Sequence, residues 1–261
     1  MTQSKELQKN HKGYIVKKVL IAVAAVITAM AVSFGLYVSD YYRADETVKA
    51  FLVPDEKVRV EETDYGWLLD GPSEENAMIF YPGGKVDEKA YIPLLHRFAE
   101  EGIDVCLVKM PFRLAVLGIN RASDVMAQYD YGNWYIGGHS LGGAMSAVYA
   151  ADHGDKLKGV VLLAAYATKN LDDDLVEIVL YGSEDGVLNR SKTEEGRQFA
   201  PNSEGHYLEL VIESGNHAQF GSYGMQKGDG EARITAREQQ EETVRLVMEA
   251  IGLRKAGADG N

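Results

Sequence analysis

Apolar and polar positions alternate along the chain so as to predict strands and helices in turn. "KVRVEE" and "YGWLLDG" (residues 57–62 and 65–71) read as two early strands, paired antiparallel. "AMIFYPGG" is an apolar strand that runs into a glycine loop. "YIPLLHRFAEEG" predicts a helix, with Pro93 in its first turn and Gly102 just past its end. "IDVCLVKMP" predicts a buried strand stopped by Pro111, followed by a helix around Ala122 to Tyr129. "NWYIGG" is the next strand and Ser140 to Ala151 the next helix. "LKGVVLLAAY", "LVEIVLYG" and "YLELVIESG" are three further strands. A last helix opens on Thr235 and Glu238 in a capping-box pattern. It turns Val244, Val247 and Ile251 to one face and ends at Gly252. Such alternation predicts an α/β fold whose mostly parallel central sheet is covered by helices on both faces. Ligands of such sheets lie beyond the carboxyl ends of the strands, which directs attention to the residues after each strand.

The N-terminus breaks this pattern. Val19 to Val38 carries no charge and is long enough to cross a hydrocarbon core of roughly 30 Å as a helix. Lys5, Lys9, Lys12, Lys17 and Lys18 precede it, which places the tail in the cytoplasm and the domain outside. Ala29-Met30-Ala31 offers the alternative of a cleaved secretory signal, although the apolar run continues past it to Val38. The expected organisation is a basic tail (1–18), a membrane helix or signal (19–38), a polar linker (39–56), one domain (57–253) and a C-terminal tail (254–261). A chain of 261 residues suffices for one sizeable core.

Charge narrows the partners. Residues 1–43 hold six Lys/Arg against two acidic residues, whereas the remainder holds 21 against 37. An acidic domain without a basic patch argues against nucleic acid. The single cysteine, Cys106, excludes an intramolecular disulfide and a Cys-rich zinc site, and its apolar strand predicts a buried structural role.

Four loops carry candidate chemistry. After "NWYIGG" comes Gly138-His139-Ser140-Leu141-Gly142, a G-x-S-x-G between a strand and a helix. A serine in such a turn is lifted above the sheet, and Gly138 and Gly142 avoid collision there. Taken alone the pattern is also that of a glycine turn with an N-cap serine. After "LVEIVLYG" comes Ser183-Glu184-Asp185-Gly186; Asp185 is the preferred carboxylate and Glu184 the alternative. After "YLELVIESG" comes His217, the candidate base, and a histidine base predicts activity lost in acid. Ser140, Asp185 and His217 stand in the order serine, acid, histidine. After "AMIFYPGG" the bare backbone of Gly83-Gly84 is suited to approach a substrate. The N–H groups of Leu141 and of either Gly84 or Lys85 are the expected oxyanion donors. No phosphate-loop, H-E-x-x-H or dinucleotide pattern occurs, so no metal and no cofactor is implied.

On "FYPGGKVD", "LVKMPFRLAVL", "IGGHSLGGAM", "YGSEDGV" and "GNHAQFGSYG" the sequence resembles the α/β-hydrolase superfamily. More narrowly, it is similar to compact membrane-anchored bacterial hydrolases near the dienelactone hydrolase-like group. Dienelactone hydrolases proper use a cysteine nucleophile where this chain has Ser140. The resemblance implies a serine hydrolase acting on a small-molecule carboxylic ester through an acyl-enzyme. Alternatives are an envelope-associated acyltransferase or a lipid or polymer esterase, and a non-catalytic anchored binding protein. With no long insertion to form a lid, the segment Gly186 to Gly205 and "PFRLAVLGIN" are the expected walls of a small pocket suited to short acyl groups.

Overall fold

The computed structural model of the chain describes residues 2–53, 55–72 and 74–253, so the tail expected over 254–261 lies outside the described residues. The chain forms two units, Met1–Tyr41 and Tyr42–Asn261. The first is essentially one helix, α1 (Thr2–Ser39), which extends through much of the expected tail. Its Lys17–Ser39 portion is long and apolar enough to cross a membrane and none of it is buried.

The second unit is built on an eight-stranded sheet. Its strands are β1 (Arg59–Thr63), β2 (Gly66–Asp70), β3 (Asn76–Tyr81), β4 (Asp104–Val108), β5 (Asn133–His139), β6 (Gly159–Leu163), β7 (Val176–Gly182) and β8 (Tyr207–Ile212). They lie in the order β1-β2-β4-β3-β5-β6-β7-β8. β2 runs antiparallel to both its neighbours, β1 and β4, and β3 to β8 are mutually parallel. The early antiparallel pair and the mostly parallel sheet are those expected from the alternation of the sequence.

The inner strands are apolar on both faces because helices cover both. Along β3, Met78 and Phe80 enter one core while Ala77, Ile79 and Tyr81 enter the other. β4, β6 and β7 alternate in the same way, with Leu107, Leu163 and Leu180 on the first face and Cys106, Leu162 and Val179 on the second. The first core is closed by α2 (Ile92–Glu100) and α6 (Ala236–Ala250), through Leu94, Leu95, Phe98, Val244, Val247 and Met248. The second is closed by α3 (Arg121–Met126) and α4 (Leu141–His153), through Ala122, Val125, Ala147 and Ala150. The Thr235/Glu238 capping box forms as expected, and Gly252 takes a left-handed φ of 75° after α6. Cys106 is buried, and burial pushes its thiol up to about 12, so it stays protonated at neutral pH.

The expected polar linker gives way to packed structure from Tyr42 onward. Residues 46–51 form a 3-10 helix capped by Asp45, and Val48 is buried in the first core. Tyr42 forms a parallel bridge with Val86, and its ring lies 5.5 Å from that of Tyr223. His96 Nε2 lies 3.2 Å from Asp55 Oδ2, and Phe51 meets the His96 ring edge-on at 5.3 Å. Its anchoring side chains, Tyr42, Ala44, Val48, Phe51 and Leu52, alternate with charged and solvated positions, which is why its composition reads as a linker.

The sheet reverses its winding at β3. From there the chain passes to β4 on one side and then crosses to β5 on the other. The crevice beyond the carboxyl ends of β3 and β5 is therefore the expected ligand site.

Candidate active site

Ser140 stands at the β5–α4 turn with φ 53° and ψ −120°, a backbone position that costs a non-glycine residue strain. The turn is tight because two glycines allow it. A Cβ on Gly138 would lie 2.6 Å from the Gly142 carbonyl carbon, and one on Gly142 would lie 2.1 Å from Tyr81 O. Either side chain would force the helix away from β3. Ser140 makes no side-chain cap to α4, so the N-cap alternative raised by the sequence does not describe it. Its N–H instead donates to Leu163 O at 2.9 Å, which ties the turn to β6.

Asp185 lies in the turn after β7 and His217 in the turn after β8. His217 Nδ1 is 2.9 Å from Asp185 Oδ2, with side chains only 1% and 0% exposed. The other carboxylate oxygen, Oδ1, accepts the Val187 and Leu188 N–H groups, each at 2.8 Å. Both oxygens are thus occupied and the carboxylate cannot rotate without breaking bonds. Nδ1 therefore carries the proton of the neutral ring, and Nε2 is left as the acceptor. His217 Nε2 is buried and has no hydrogen-bond partner among the described residues. Glu184 takes no part in this contact; its Oε1 lies 3.4 Å from Ser183 Oγ and 3.9 Å from Arg233 Nη2.

Ser140 and His217 line one pocket of about 310 Å³. Its walls are Leu141, Ala144, Ala164, Ala165, Tyr166, Val187, Leu188 and Asn189. Of the two expected walls, the segment after Gly186 contributes Val187 to Asn189, whereas "PFRLAVLGIN" contributes none of these residues. That stretch lies behind the loop after β3 instead: Tyr81 Oη donates to Ile119 O at 2.6 Å, and Lys85 N donates to Arg113 O at 2.9 Å. The second bond separates the two donors left open by the sequence: the Lys85 N–H is committed to Arg113 O. The Gly84 N–H makes no hydrogen bond among the described residues. Gly84 also faces Leu141, since a Cβ added to it would lie 2.9 Å from Leu141 Cδ2. Leu141 opens α4, so its N–H has no carbonyl one turn back to receive it.

Several residues here were missed by sequence reasoning. His139, treated there as the variable position of the turn, is buried, with Nδ1 2.8 Å from Tyr91 Oη. Tyr91 Oη also accepts the Gly83 N–H at 3.1 Å, so its own proton is directed to His139. Burial holds the His139 imidazole well below its ordinary value of 6.5, and the nearby His217 lowers it further against a smaller opposing effect of the His217 backbone. Its ring lies 4.5 Å from that of His217, so a neutral ring packs against the candidate base. Nothing in the local pattern marks the Tyr91–His139 contact, which joins residues 48 apart. Ala164, Ala165 and Tyr166 had an available signal, because they directly follow "LKGVVLL".

Residues 77–241, from β3 into α6, match a known family. The chain belongs to the alpha/beta hydrolase family. No curated protein matches it. Among solved structures, this hydrolase-family chain is similar to a candidate dienelactone hydrolase from Klebsiella pneumoniae, with 16% identity and a TM-score of 0.54, covering 75% of this chain and 99% of that one. It is likewise similar to TT1662 from Thermus thermophilus, with 14% identity and a TM-score of 0.52, covering 76% and 100%. The Thermogutta terrifontis esterase 2, in a form phosphonylated by sarin, matches at 13% identity and a TM-score of 0.52, covering 77% and 98%. At such identities these likenesses establish the shared fold.

Proposed function

We propose that the chain is a serine hydrolase that cleaves small carboxylic esters through an acyl-enzyme. One observation carries this reading: His217 is held on Nδ1 by a buried, doubly anchored Asp185, and its unpartnered Nε2 shares a pocket with the strained Ser140. In the first half-reaction, Nε2 takes the Ser140 Oγ proton as Oγ bonds to the ester carbonyl carbon. The carbonyl oxygen becomes an oxyanion, held by the N–H groups of Leu141 and Gly84. Losing one such donor costs roughly 10²–10³ in rate. The tetrahedral adduct collapses, the alcohol leaves with the proton from Nε2, and the acyl group stays on Ser140. Water then repeats the sequence and frees the acid. Asp185 keeps the proton on Nδ1 throughout and stabilises the imidazolium. Ser140 and His217 do not hydrogen-bond in the resting site; such bonds often tighten only when substrate is bound.

The pocket of about 310 Å³ is at the small end of the roughly 300–1,000 Å³ common for ligand sites, and its walls are mostly apolar. Both features favour short acyl groups. The N-terminal helix is read as an uncleaved anchor with the domain outside the membrane, which would hold Ser140 near envelope esters. A fluorophosphonate probe tests the central assignment. It is expected to label the wild-type chain and to leave S140A unlabelled, and a p-nitrophenyl ester series on the same sample is expected to peak at short acyl chains. Full ester hydrolysis by S140A would overturn the assignment.

A further inference from the structure

The carboxylate of Asp229 has an unusual set of partners. Oδ1 accepts the N–H groups of His217 at 3.1 Å, Gly186 at 3.2 Å and Gly230 at 2.9 Å. Oδ2 accepts the Ala218 N–H at 2.8 Å. Gly186 belongs to the turn after β7, next to Asp185, whereas His217 and Ala218 belong to the turn after β8. One carboxylate from a third loop thus joins the turn that carries the acid to the turn that carries the base. Four N–H donors match the roughly four lone-pair sites of an ionised carboxylate, a capacity that no neutral side chain offers.

The packing around it is independent of these bonds and agrees with them. A Cβ on Gly186 would lie 2.6 Å from Gly228 O, and one on Gly230 would lie 1.9 Å from Glu184 O. The loop that carries Asp229 is therefore pressed backbone to backbone on the acid turn. Asn216 Nδ2 donates to Gly230 O at 2.9 Å, which fastens the same loop to the residue before His217. Gly186 has no room for a side chain at this contact.

We propose that Asp229 is a positioning residue: it sets the acid turn and the histidine turn in register, and so sets the distance and angle between Asp185 and His217. The inference rests on the serine-hydrolase reading of the site. The hydrogen bonds of Asp229 all come from backbone N–H groups, and none reaches Ser140 or a side chain lining the pocket. Its effect therefore falls on the orientation of the imidazole and not on substrate binding. A misplacement of about 1 Å at a reacting group costs on the order of 10²-fold in rate.

The test uses the full chain in detergent micelles, comparing wild type, D229A and D229N on p-nitrophenyl acetate. D229A is expected to lower kcat about 10²-fold and to leave KM within about twofold of wild type. The far-downfield proton resonance of His217 Nδ1–H is expected to move or vanish while the circular dichroism spectrum is retained. D229N keeps an acceptor for three of the donors but turns an NH₂ group toward the Ala218 N–H. It is expected to show a smaller fall of about tenfold, and it carries the test if D229A fails to fold. A folded variant with wild-type kcat and an unmoved resonance overturns the proposal. The resonance reports on the clamp even if the wild-type chain hydrolyses no ester. That second outcome would count against Ser140 and not against Asp229.

Discussion

Replacing Asp185 with Asn tests the proposed chemistry most sharply, because the structure dictates how the amide must sit. Asp185 Oδ1 accepts two backbone N–H groups, from Val187 and Leu188, both at 2.8 Å. An amide nitrogen in that position would face two donors, so the amide oxygen must take it. The NH₂ group is then forced into the Oδ2 position, 2.9 Å from His217 Nδ1. Two donors cannot share that contact. The ring responds by moving its proton from Nδ1 to Nε2, and a protonated Nε2 can no longer accept the proton of Ser140. A change of tautomer of this kind costs about 10⁴-fold in kcat, or about 5 kcal/mol of transition-state stabilisation. The fold should lose far less. Two bonds to a charged acceptor become bonds to a neutral one, a cost of about 1–2 kcal/mol. The assay is kcat and KM on p-nitrophenyl acetate near pH 8, with a thermal melt on the same sample. A D185N chain that stays folded and keeps kcat within about tenfold of wild type would refute the reasoning. E184Q is the control, since Glu184 makes no contact with His217; an effect on kcat as large as that of D185N would point to the wrong carboxylate.

Further expectations rest on other groups. Glu177 is only 1% exposed, and burial, with Glu209 nearby, raises its pKa from 4.5 to about 7. The folded chain holds this proton more tightly than the unfolded chain, so stability falls as pH rises from about 4.5 to about 7. That gap corresponds to at most about 3 kcal/mol. E177Q should therefore be more stable than wild type at pH 8 and no more stable at pH 4, as read from urea unfolding at both values; an equal difference at the two would contradict it. Y91F removes the hydroxyl shared by Gly83 N–H and His139 Nδ1, leaving buried polar groups unpaired at a cost of about 1–3 kcal/mol. Because Gly83 adjoins Gly84, kcat on short esters should fall as well, and unchanged melting and turnover would argue against the link. An uncleaved anchor gives an intact mass for the full chain in the membrane fraction. A mature chain beginning just after Ala31 would instead identify a cleaved signal.

The sheet was legible because helices bury both faces, so β3 to β7 read as continuous apolar runs whose two faces nonetheless fill separate cores. The site was legible where the chemistry is local. Gly138, Ser140 and Gly142 lie within five residues, and the strain at Ser140 leaves a glycine signature. Contacts made across the fold left no such trace. Asp229 lies in a loop rich in glycine and polar residues that resembles any solvated turn, and the four N–H groups it accepts are backbone. Main-chain donors carry no side-chain signal, and for the same reason the sequence leaves both Gly84 and Lys85 open as donors. Which of the two N–H groups stays unbonded is decided by Arg113 O, from a loop nearly thirty residues away. The strap from Tyr42 to Phe51 was misread because three of its anchors, the Tyr42 main chain, Asp45 N–H and Val48, are scattered among solvated positions.

The spacing of the strands explains why the histidine turn needs so many fastenings. Asp185 comes after β7 and His217 after β8, and these are neighbours, so their contact spans a single strand spacing of about 4.8 Å. Ser140 comes after β5, three spacings from β8, or roughly 14 Å along the sheet. The His217 turn must reach back over β7 and β6 to share a pocket with Ser140. The two residues just past β6 leave room for it. Ala164, at a left-handed φ of 49°, and Ala165 put only methyl groups beneath the pocket. A turn that reaches so far from its strand has little sheet to hold it, and the structure holds it from several sides. Gln239 of α6 bonds both the N–H and the carbonyl of Asn216, at 2.9 and 2.7 Å. Asp229 takes the next two N–H groups, and the His139 ring packs on the imidazole. The Asp185–His217 pair comes from adjacent strands, but the approach of His217 to Ser140 has to be built. Substitutions at Gln239 should therefore fall on turnover more than on the Asp185–His217 bond. Q239A that abolished the Nδ1–H resonance while leaving kcat intact would reverse that order.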